Sequence, residues 1–166
     1  TYNKRVMKYE RNTVNGTIFA GGNATAPSSS RLSSPFSLHF DALSYSFLIS
    51  DNNAHRVVRW TLGASNWTLV AGSFTGQSGI NSTSLYSPLG LTLDPMGNLY
   101  VTDSANYRVQ FFRAGSFVGQ TIAGMVRING TNSTLLNRPY WVALDSQLNL
   151  YVSDSYNYRI QMFKRY

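Results

Sequence analysis

Short apolar runs of five or six residues follow one another along the chain and are separated by polar turn residues. The stretch 88–124 shows the pattern clearly, with GLTLD, LYVTD, RVQFF and GQTIAG in succession. Val, Ile, Leu, Tyr and Phe dominate these runs, as in β-strands, and segments such as DPMGN have the composition of tight turns. No stretch has the apolar spacing of an amphipathic helix. The pattern therefore predicts an all-β chain of short strands.

The apolar runs repeat with a period of 51 or 52 residues. An Arg at the start of the third strand recurs with this period, and a Pro before the first strand recurs with nearly the same spacing. A fixed period of this length is typical of repeat proteins, and four strands a repeat fit the blade of a β-propeller. The residues that recur with this spacing are Arg5, Arg56, Arg108 and Arg159, together with Pro35, Pro88 and Pro139.

The period divides a single domain, residues 1–166, into four units. A partial unit spans residues 1–22, full units span 23–73 and 74–125, and residues 126–166 lack the last strand of their unit. About three four-stranded blades and a partial blade would form an open arc, or part of a larger and possibly six-bladed ring. An open arc exposes flat apolar faces. We therefore expect the remaining blades of a longer chain, or else a second copy, to cover them.

The segment PLGLTLDPMGNLYVTDSANYRVQFF (88–112) resembles the NHL repeat, and residues 139–163 are nearly as similar. The shared features are an apolar first strand ending in Asp, then Gly-Asn-Leu-Tyr-Val-x-Asp, then Asn-x-Arg-Val-Gln. The resemblance implies a β-propeller, and it implies several functions, since the family includes RNA-binding regulators and amidating lyases. This sequence departs from the pattern where Ala54 replaces the Asn and where Ser37 and Trp141 replace a Gly.

An Asp stands five residues before the repeated Arg in three of the four units. The Asp should end the second strand and the Arg should begin the third, so that a short turn brings the two side chains together. A hydrogen-bonded pair at this point would fix the register of the two strands. Because a catalytic site is built once and these pairs recur, we interpret them as structural joints. The pairs are Asp51–Arg56, Asp103–Arg108 and Asp154–Arg159, whereas Arg5 has no such Asp before it.

Few residues of the chain are suited to catalysis or metal binding. The sequence has no Cys and only two His, with His39 in a first strand and His55 in a turn. Six of the seven acidic residues belong to the repeat, so no spare pair of carboxylates remains. We therefore expect no catalytic residue, no metal ligand and no cofactor. An amidating-lyase activity, which some NHL propellers have, would need His residues from other blades.

Charge and potential glycosylation sites favour different partners. The net charge of +7 is compatible with RNA binding. Six Asn-x-Ser/Thr triplets instead favour a secreted protein or an ectodomain, because they all lie between a third strand and the next first strand, where a glycan is tolerated. No run of about eighteen apolar residues is present, so we expect no membrane insertion of this segment. The triplets begin at Asn15, Asn23, Asn66, Asn81, Asn129 and Asn132.

The sequence thus predicts a non-catalytic extracellular interaction module. It would bind a protein or another extracellular ligand through its rim loops, because loops on a rigid scaffold commonly carry function. One alternative is an RNA-binding propeller that uses a basic face, for which binding would depend strongly on salt. A second alternative is part of a channel-centred enzyme such as an amidating lyase.

Overall fold

The computed structural model describes residues 3–22 and 28–164. Within these residues it contains thirteen β-strands and four single-turn 3-10 helices. The strands form four antiparallel sheets, so the predicted all-β class is confirmed. None of the helices in the described ranges is long and apolar enough to cross a membrane.

The sheets correspond to four successive units, which we call blades 1 to 4. Blade 1 is the pair β1 (Arg5–Lys8) and β2 (Thr17–Gly21). Blade 2 contains β3 (Pro35–Asp41), β4 (Ser46–Asp51), β5 (Arg56–Thr61) and β6 (Thr68–Gly72). Blade 3 contains β7 (Pro88–Leu93), β8 (Leu99–Asp103), β9 (Arg108–Phe112) and β10 (Gly119–Gly124). Blade 4 contains β11 (Pro139–Leu144), β12 (Leu150–Asp154) and β13 (Arg159–Phe163).

Each blade is a meander in which neighbouring strands in sequence are neighbours in the sheet. The antiparallel order places the turns between strands one and two, and between strands three and four, at one end of the blade. The turn between strands two and three and the loop to the next blade lie at the other end. We call the first end the hairpin rim (residues 42–45, 62–67, 94–98, 113–118 and 145–149). The second end is the joint rim (residues 52–55, 73–87, 104–107, 125–138 and 155–158).

Apolar layers between successive blades hold the fold together. Val57 of blade 2 packs in the same cluster as Phe112 of blade 3. The equivalent Val109 of blade 3 packs with Val152 of blade 4. Since successive side chains of a strand point to opposite faces, Val58 packs on the other side, in the layer shared with blade 1. Full burial of a side chain of this kind contributes about 1.5–3 kcal/mol, so both faces of blades 2 and 3 stabilise the arc.

The first strands of blades 2, 3 and 4 lie side by side and approach closely. A Cβ added to Gly90 of β7 would lie 2.6 Å from the Cα of Trp141 in β11. Ser37 holds the equivalent place in β3, and its hydroxyl donates to the carbonyl oxygen of Leu89 at 2.8 Å. Trp141 holds the place in blade 4 and is 46% exposed. A small residue is therefore needed at this place wherever another blade packs at the same spacing.

Candidate functional site

The Asp103–Arg108 joint connects four parts of blade 3. Arg108 Nε donates to Asp103 Oδ2 at 2.7 Å, and the Asn106 amide donates to the same oxygen at 2.8 Å. The backbone N–H of Tyr86, in the loop that enters the blade, donates to Asp103 Oδ1 at 2.6 Å. One carboxylate therefore holds the second strand, the turn, the third strand and the preceding loop in register.

The joint of blade 4 repeats this arrangement. Arg159 Nε and the Asn157 amide each donate to Asp154 Oδ2 at 2.8 Å. The N–H of Asn137 donates to Asp154 Oδ1 at 2.6 Å. The same three kinds of donor thus surround the carboxylate in both blades.

The joint of blade 2 has a different set of donors. Arg56 donates to Asp51 Oδ2 through both Nε and Nη2, at 3.1 and 2.9 Å. The N–H groups of Ser33 and Ser34 donate to Asp51 Oδ1 at 2.8 and 2.7 Å. Ala54 stands where the other blades have an Asn and provides no side-chain donor.

The geometry of the joints suits a structural role. Burial raises the pKa of the Asp103 carboxyl, and the donors Asn106, Tyr86 and Arg108 act against this shift. A desolvated ion pair adds little net stability but fixes one arrangement of its surroundings. The three Asp side chains are fully buried in the joints. These carboxylates are therefore out of reach of a substrate.

Hydroxyl groups next to the joints link neighbouring blades, a feature that the sequence interpretation missed. Ser50 Oγ donates to the carbonyl oxygen of Leu89 in the next blade at 2.6 Å. Thr102 Oγ1 accepts the N–H of Gly90 at 2.8 Å and lies 3.3 Å from the carbonyl oxygen of Tyr140 in the next blade. The signal in the sequence was a Ser or Thr directly before each joint Asp. These contacts bring the inner strands of adjacent blades together.

The two histidines lie apart in the fold. His39 is in β3, and burial lowers its pKa although Asp41 acts in the opposite direction. His55 ends the turn of blade 2, where its Nδ1 accepts the N–H of Ser87 at 3.2 Å. Within residues 3–22 and 28–164, no three His, Cys, Asp or Glu side chains form a group that could hold a metal ion.

Five of the six potential glycosylation sites lie in the described ranges, and Asn23 lies outside them. Asn15 and Asn66 are exposed in turns between third and fourth strands, and Asn129 is exposed in the loop to blade 4. Asn81 and Asn132 share one conformation, in which Oδ1 accepts the N–H and the hydroxyl of the Thr two residues later. The amide nitrogens of both residues take no part in these bonds.

The hairpin rim exposes large apolar side chains on ordered turns. Leu43 is 87% exposed and Tyr45 is 65% exposed in the first turn of blade 2. Met96 and Phe117 are exposed on the same rim of blade 3. Between the two blades, Phe117 and Arg113 help to line a cleft of about 240 Å³. The sequence analysis assigned no role to these turn residues. They are nevertheless among the residues that are accessible from solvent.

A larger cavity of about 590 Å³ opens on the joint rim, between blades 1 and 2 and the loop that leads to blade 3. Its lining includes the cationic residues Lys4, Arg31 and Arg56. Ala54 and Thr75 also line it. The cavity thus lies beside the joint of blade 2, where Ala54 stands at the place of the Asn of blades 3 and 4.

Comparison with known proteins agrees with this geometry. Residues 85–112 match the family model described as NHL repeat. No curated protein matches the sequence. A structural genomics protein of unknown function from Bacteroides thetaiotaomicron is similar with a TM-score of 0.78 at 19% identity, over 98% of this chain and 42% of that protein. An auxiliary nutrient binding protein from the same organism is similar with a TM-score of 0.70 at 16% identity, over 95% and 42% of the two chains.

An enzyme is also among the similar structures. A catalytically inactive virginiamycin B lyase from Staphylococcus aureus, bound to quinupristin, has a TM-score of 0.57 at 16% identity, over 92% of this chain and 44% of that protein. The chain spans less than half the length of these three proteins. Likeness at such identities establishes the fold and leaves activity open. Residues 85–112 thus carry an NHL repeat, and the chain adopts the β-propeller fold, with two full blades and two partial ones in the described ranges.

Proposed function

We propose that this chain is a non-catalytic interaction module that binds a protein through its hairpin rim. The observation that carries the proposal is the combination of exposed apolar side chains, chief among them Leu43 and Tyr45, with turns that the carboxylates of the hairpin rim hold in shape. Exposed apolar surface on a folded protein commonly marks a binding site. Aromatic residues and Met are enriched in protein interfaces, and Met96 and Phe117 add both types to the rim.

The hairpin turns are held in shape before any partner binds. Asp94 Oδ1 accepts the N–H groups of Met96 and Asn98, at 3.0 and 2.9 Å. Asp41 accepts the N–H of Leu43 at 3.1 Å and forms a 2.7 Å ion pair with Arg59. A preformed loop loses less conformational entropy on binding than a flexible one. These contacts therefore favour recognition by the hairpin rim.

The acidic residues support a non-catalytic role. Three carboxylates form the joints, and three others hold the hairpin turns through their own hydrogen bonds, including Asp145 with the N–H groups of Gln147 and Asn149. Glu10 forms an exposed ion pair with Lys8 at 3.0 Å. Each carboxylate of the chain thus has a structural partner. A carboxylate that acted as a general acid or base would have to give up that partner.

An extracellular location is part of the proposal. Its support is the exposure of the described acceptor residues, above all Asn81 and Asn132. We expect the chain to shift in gel mobility after glycosidase treatment when it is secreted from a eukaryotic host. Replacement of both residues by Gln should reduce that shift. A band that glycosidase leaves unshifted would contradict the extracellular assignment.

The binding test compares the two rims. Cell-surface proteins cross-linked to the wild-type chain would be compared with those cross-linked to a Leu43→Ser/Tyr45→Ser/Met96→Ser variant. The matched control is Ile80→Ser/Ile128→Ser, which changes two exposed apolar residues of the joint rim. We expect the hairpin-rim variant alone to lose its partner. Equal recovery of the partner by both variants would refute the proposal.

RNA binding is the second candidate, and a specific feature favours it. Arg127 and Arg138 are exposed on the joint rim of blade 4, and the Arg138 guanidinium lies 5.7 Å from the ring centre of Tyr156. Arginine beside an exposed aromatic ring is a common surface for single-stranded nucleic acid. Salt-dependent RNA binding that is lost on charge reversal of both arginines would establish this function in place of the first.

A further inference from the structure

The cleft of about 240 Å³ between blades 2 and 3 opens on the hairpin rim, and we call it the hairpin-rim cleft. All of its lining residues lie in the described range 28–164. Its floor belongs to the apolar layer that the two blades share, in which Leu48, Leu99 and Phe112 are at most 2% exposed. Residues 113–117 of blade 3 and the start of β6 in blade 2 form its walls. The cleft is therefore built from parts of two ordered blades.

Blade 2 lacks an aromatic pair that blade 3 has on the equivalent face. The ring centres of Tyr100 and Phe111 lie 5.1 Å apart, and Tyr100 packs against the layer between blades 3 and 4. The two residues are opposite each other in the register of β8 and β9. Blade 2 has Leu48 opposite Arg59 at the same places, and both line the cleft. A shorter side chain and a guanidinium thus replace two rings, which leaves space between blades 2 and 3.

The layer between blades 1 and 2 is filled by rings as well. The ring centre of Phe47 lies 5.0 Å from that of Phe19 in blade 1 and 5.0 Å from that of Phe40. Blade 3 has Leu99 and Leu93 at the places of Phe47 and Phe40, and both line the cleft. Aromatic side chains therefore fill the layers on either side of the cleft, whereas leucines leave the cleft open.

Two arginines give the cleft a positive charge. The Arg113 side chain is exposed and makes no hydrogen bond or ion pair with any residue in the ranges 3–22 and 28–164. Arg59 donates through Nη1 to Asp41 and to the Ser46 hydroxyl, each at 2.7 Å, so Asp41 offsets part of its charge. None of the described Asp or Glu residues lines the cleft. Electrostatic complementarity therefore favours an acidic occupant, with Arg113 as the main cation.

The wall that carries Arg113 is held in shape by hydrogen bonds. The N–H of Ala114 donates to Asn98 Oδ1 at 3.0 Å, and so connects the two hairpin turns of blade 3. The N–H of Ser116 donates to the carbonyl oxygen of Arg113 at 2.9 Å, and the Ser116 hydroxyl accepts the N–H of Val118 at 3.1 Å. Because the turn is already ordered, an occupant would lose little binding energy in fixing it.

We propose that the hairpin-rim cleft receives one aliphatic side chain from a peptide segment of the partner protein, and that acidic residues beside it pair with Arg113 and Arg59. The volume of about 240 Å³ is below the range of about 300–1,000 Å³ that is usual for small-molecule sites, and it suits a single side chain. An apolar side chain in a dry pocket, surrounded by polar contacts, is the usual form of an interface hot spot. The inference rests on the proposed protein-binding function of the hairpin rim and specifies the kind of segment that is bound.

NMR titration of the isotope-labelled chain with blocked tripeptides tests the cleft. The probe is acetylated and amidated Glu-Leu-Glu, and the readout is the amide signals of Gly97 and Gly115, which line the cleft. We expect saturable shifts of these signals. The neutral tripeptide Gln-Leu-Gln should bind about fivefold more weakly, because it loses two solvent-exposed ion pairs. Glu-Ala-Glu should bind about tenfold more weakly or worse, because it loses most of the buried apolar side chain.

Two variants test the charge and the space separately. Arg113→Glu reverses the unpaired charge, so the preference for Glu-Leu-Glu over Gln-Leu-Gln should disappear. Leu48→Tyr gives blade 2 the residue that blade 3 has as Tyr100, and it should fill the cleft and weaken the binding of both tripeptides. Arg127→Glu changes an exposed arginine of the joint rim and is the matched control. Thermal melting verifies that each variant is folded, and the exposed Arg113 keeps the test decisive if Leu48→Tyr does not fold.

Three results would overturn the proposal: no saturable shift with Glu-Leu-Glu, unchanged binding to folded Arg113→Glu, or an equal loss in the control. Titration with hexanoate supplies a fourth outcome, since binding as tight as that of Glu-Leu-Glu would show that a free aliphatic acid is the occupant instead of a peptide. Each of these results leaves the cross-linking comparison of the two rims unaffected. Failure of the cleft proposal is therefore distinguishable from failure of the proposed function.

Discussion

Removal of the Asp103 carboxylate should be among the most damaging substitutions in this chain. Asp103→Ala removes the acceptor of three hydrogen bonds, which come from Arg108 Nε, the Asn106 amide and the Tyr86 N–H. The Asp103 and Arg108 side chains are 0% and 4% exposed, so solvent screens the unpaired charge of Arg108 only weakly. An uncompensated buried charge of this kind costs about 3–5 kcal/mol. For a chain of this size the melting temperature should fall by roughly 10 °C.

A double-mutant cycle separates the ion pair from the other contacts. Urea unfolding of Asp103→Ala, Arg108→Met and the double variant should give a coupling energy of about 2 kcal/mol, since the second substitution removes the charge that the first leaves unpaired. The pair Asp154–Arg159 is the internal comparison, because the Arg159 side chain is 31% exposed. Its coupling should be about 0.5–1 kcal/mol, as solvent screens it. Equal coupling at the two joints would refute the argument from burial.

Three further predictions concern packing and pH. Gly90→Ala should destabilise the chain by about 2–3 kcal/mol in urea unfolding, because its Cβ would collide with the backbone of the next blade. The hydrogen bonds from Arg59 and Ser44 outweigh burial and lower the pKa of Asp41 from 3.8 to about 2. Stability should therefore fall as the pH drops from about 4 towards 2, by about 1–2 kcal/mol after solvent screening, and Asp41→Asn should remove this dependence. Burial lowers the pKa of His55 below 6.5, so the stability that the neutral imidazole contributes should be lost as the pH falls below that value. This pH dependence should be absent in His55→Tyr.

Each of these predictions has its own control. Ser37→Gly changes the equivalent place in blade 2 to the residue that blade 3 has, and it should have a smaller effect than Gly90→Ala. A pH profile of Asp41→Asn that matches the wild type would show that the ion pair with Arg59 contributes no pH dependence. Tyr stands at the place of His55 in blades 3 and 4, so an unstable His55→Tyr variant would show that the Ser87 contact is indispensable at every pH.

The strand pattern could be predicted from the sequence because the interblade layers require apolar residues at regular places. LYVTD corresponds to β8 and RVQFF to β9, with Asp103 and Arg108 opposite each other in the register. The repeat indicated the joints as well, since a motif present in three units points to a shared structural need. Strand order within a blade followed from the short turns, which permit only antiparallel neighbours.

The sites on the two rims could not be predicted in the same way. The Ala at position 54 was visible as a departure from the repeat, but the two hydrogen bonds from Arg56 to Asp51 Oδ2 in its joint show only in the structure. The pairing of Arg59 with Asp41 joins residues of different strands, which net charge does not indicate. The exposure of Leu43 and Tyr45 likewise depends on the absence of any described element over their turn. Such properties arise from the arrangement of several segments and leave no local pattern.

The close approach of the inner strands sets rules for engineering longer arrays from these blades. A tandem extension built from copies of blade 3 would carry Gly90 into each junction and preserve the 2.8 Å bond from its N–H to the Thr102 hydroxyl. An extension built from blade 4 would instead carry Trp141, and its indole would push the next inner strand outwards. The size of the side chain at this position in each blade thus sets the curvature of an engineered array. It also sets the diameter of the ring that the array closes.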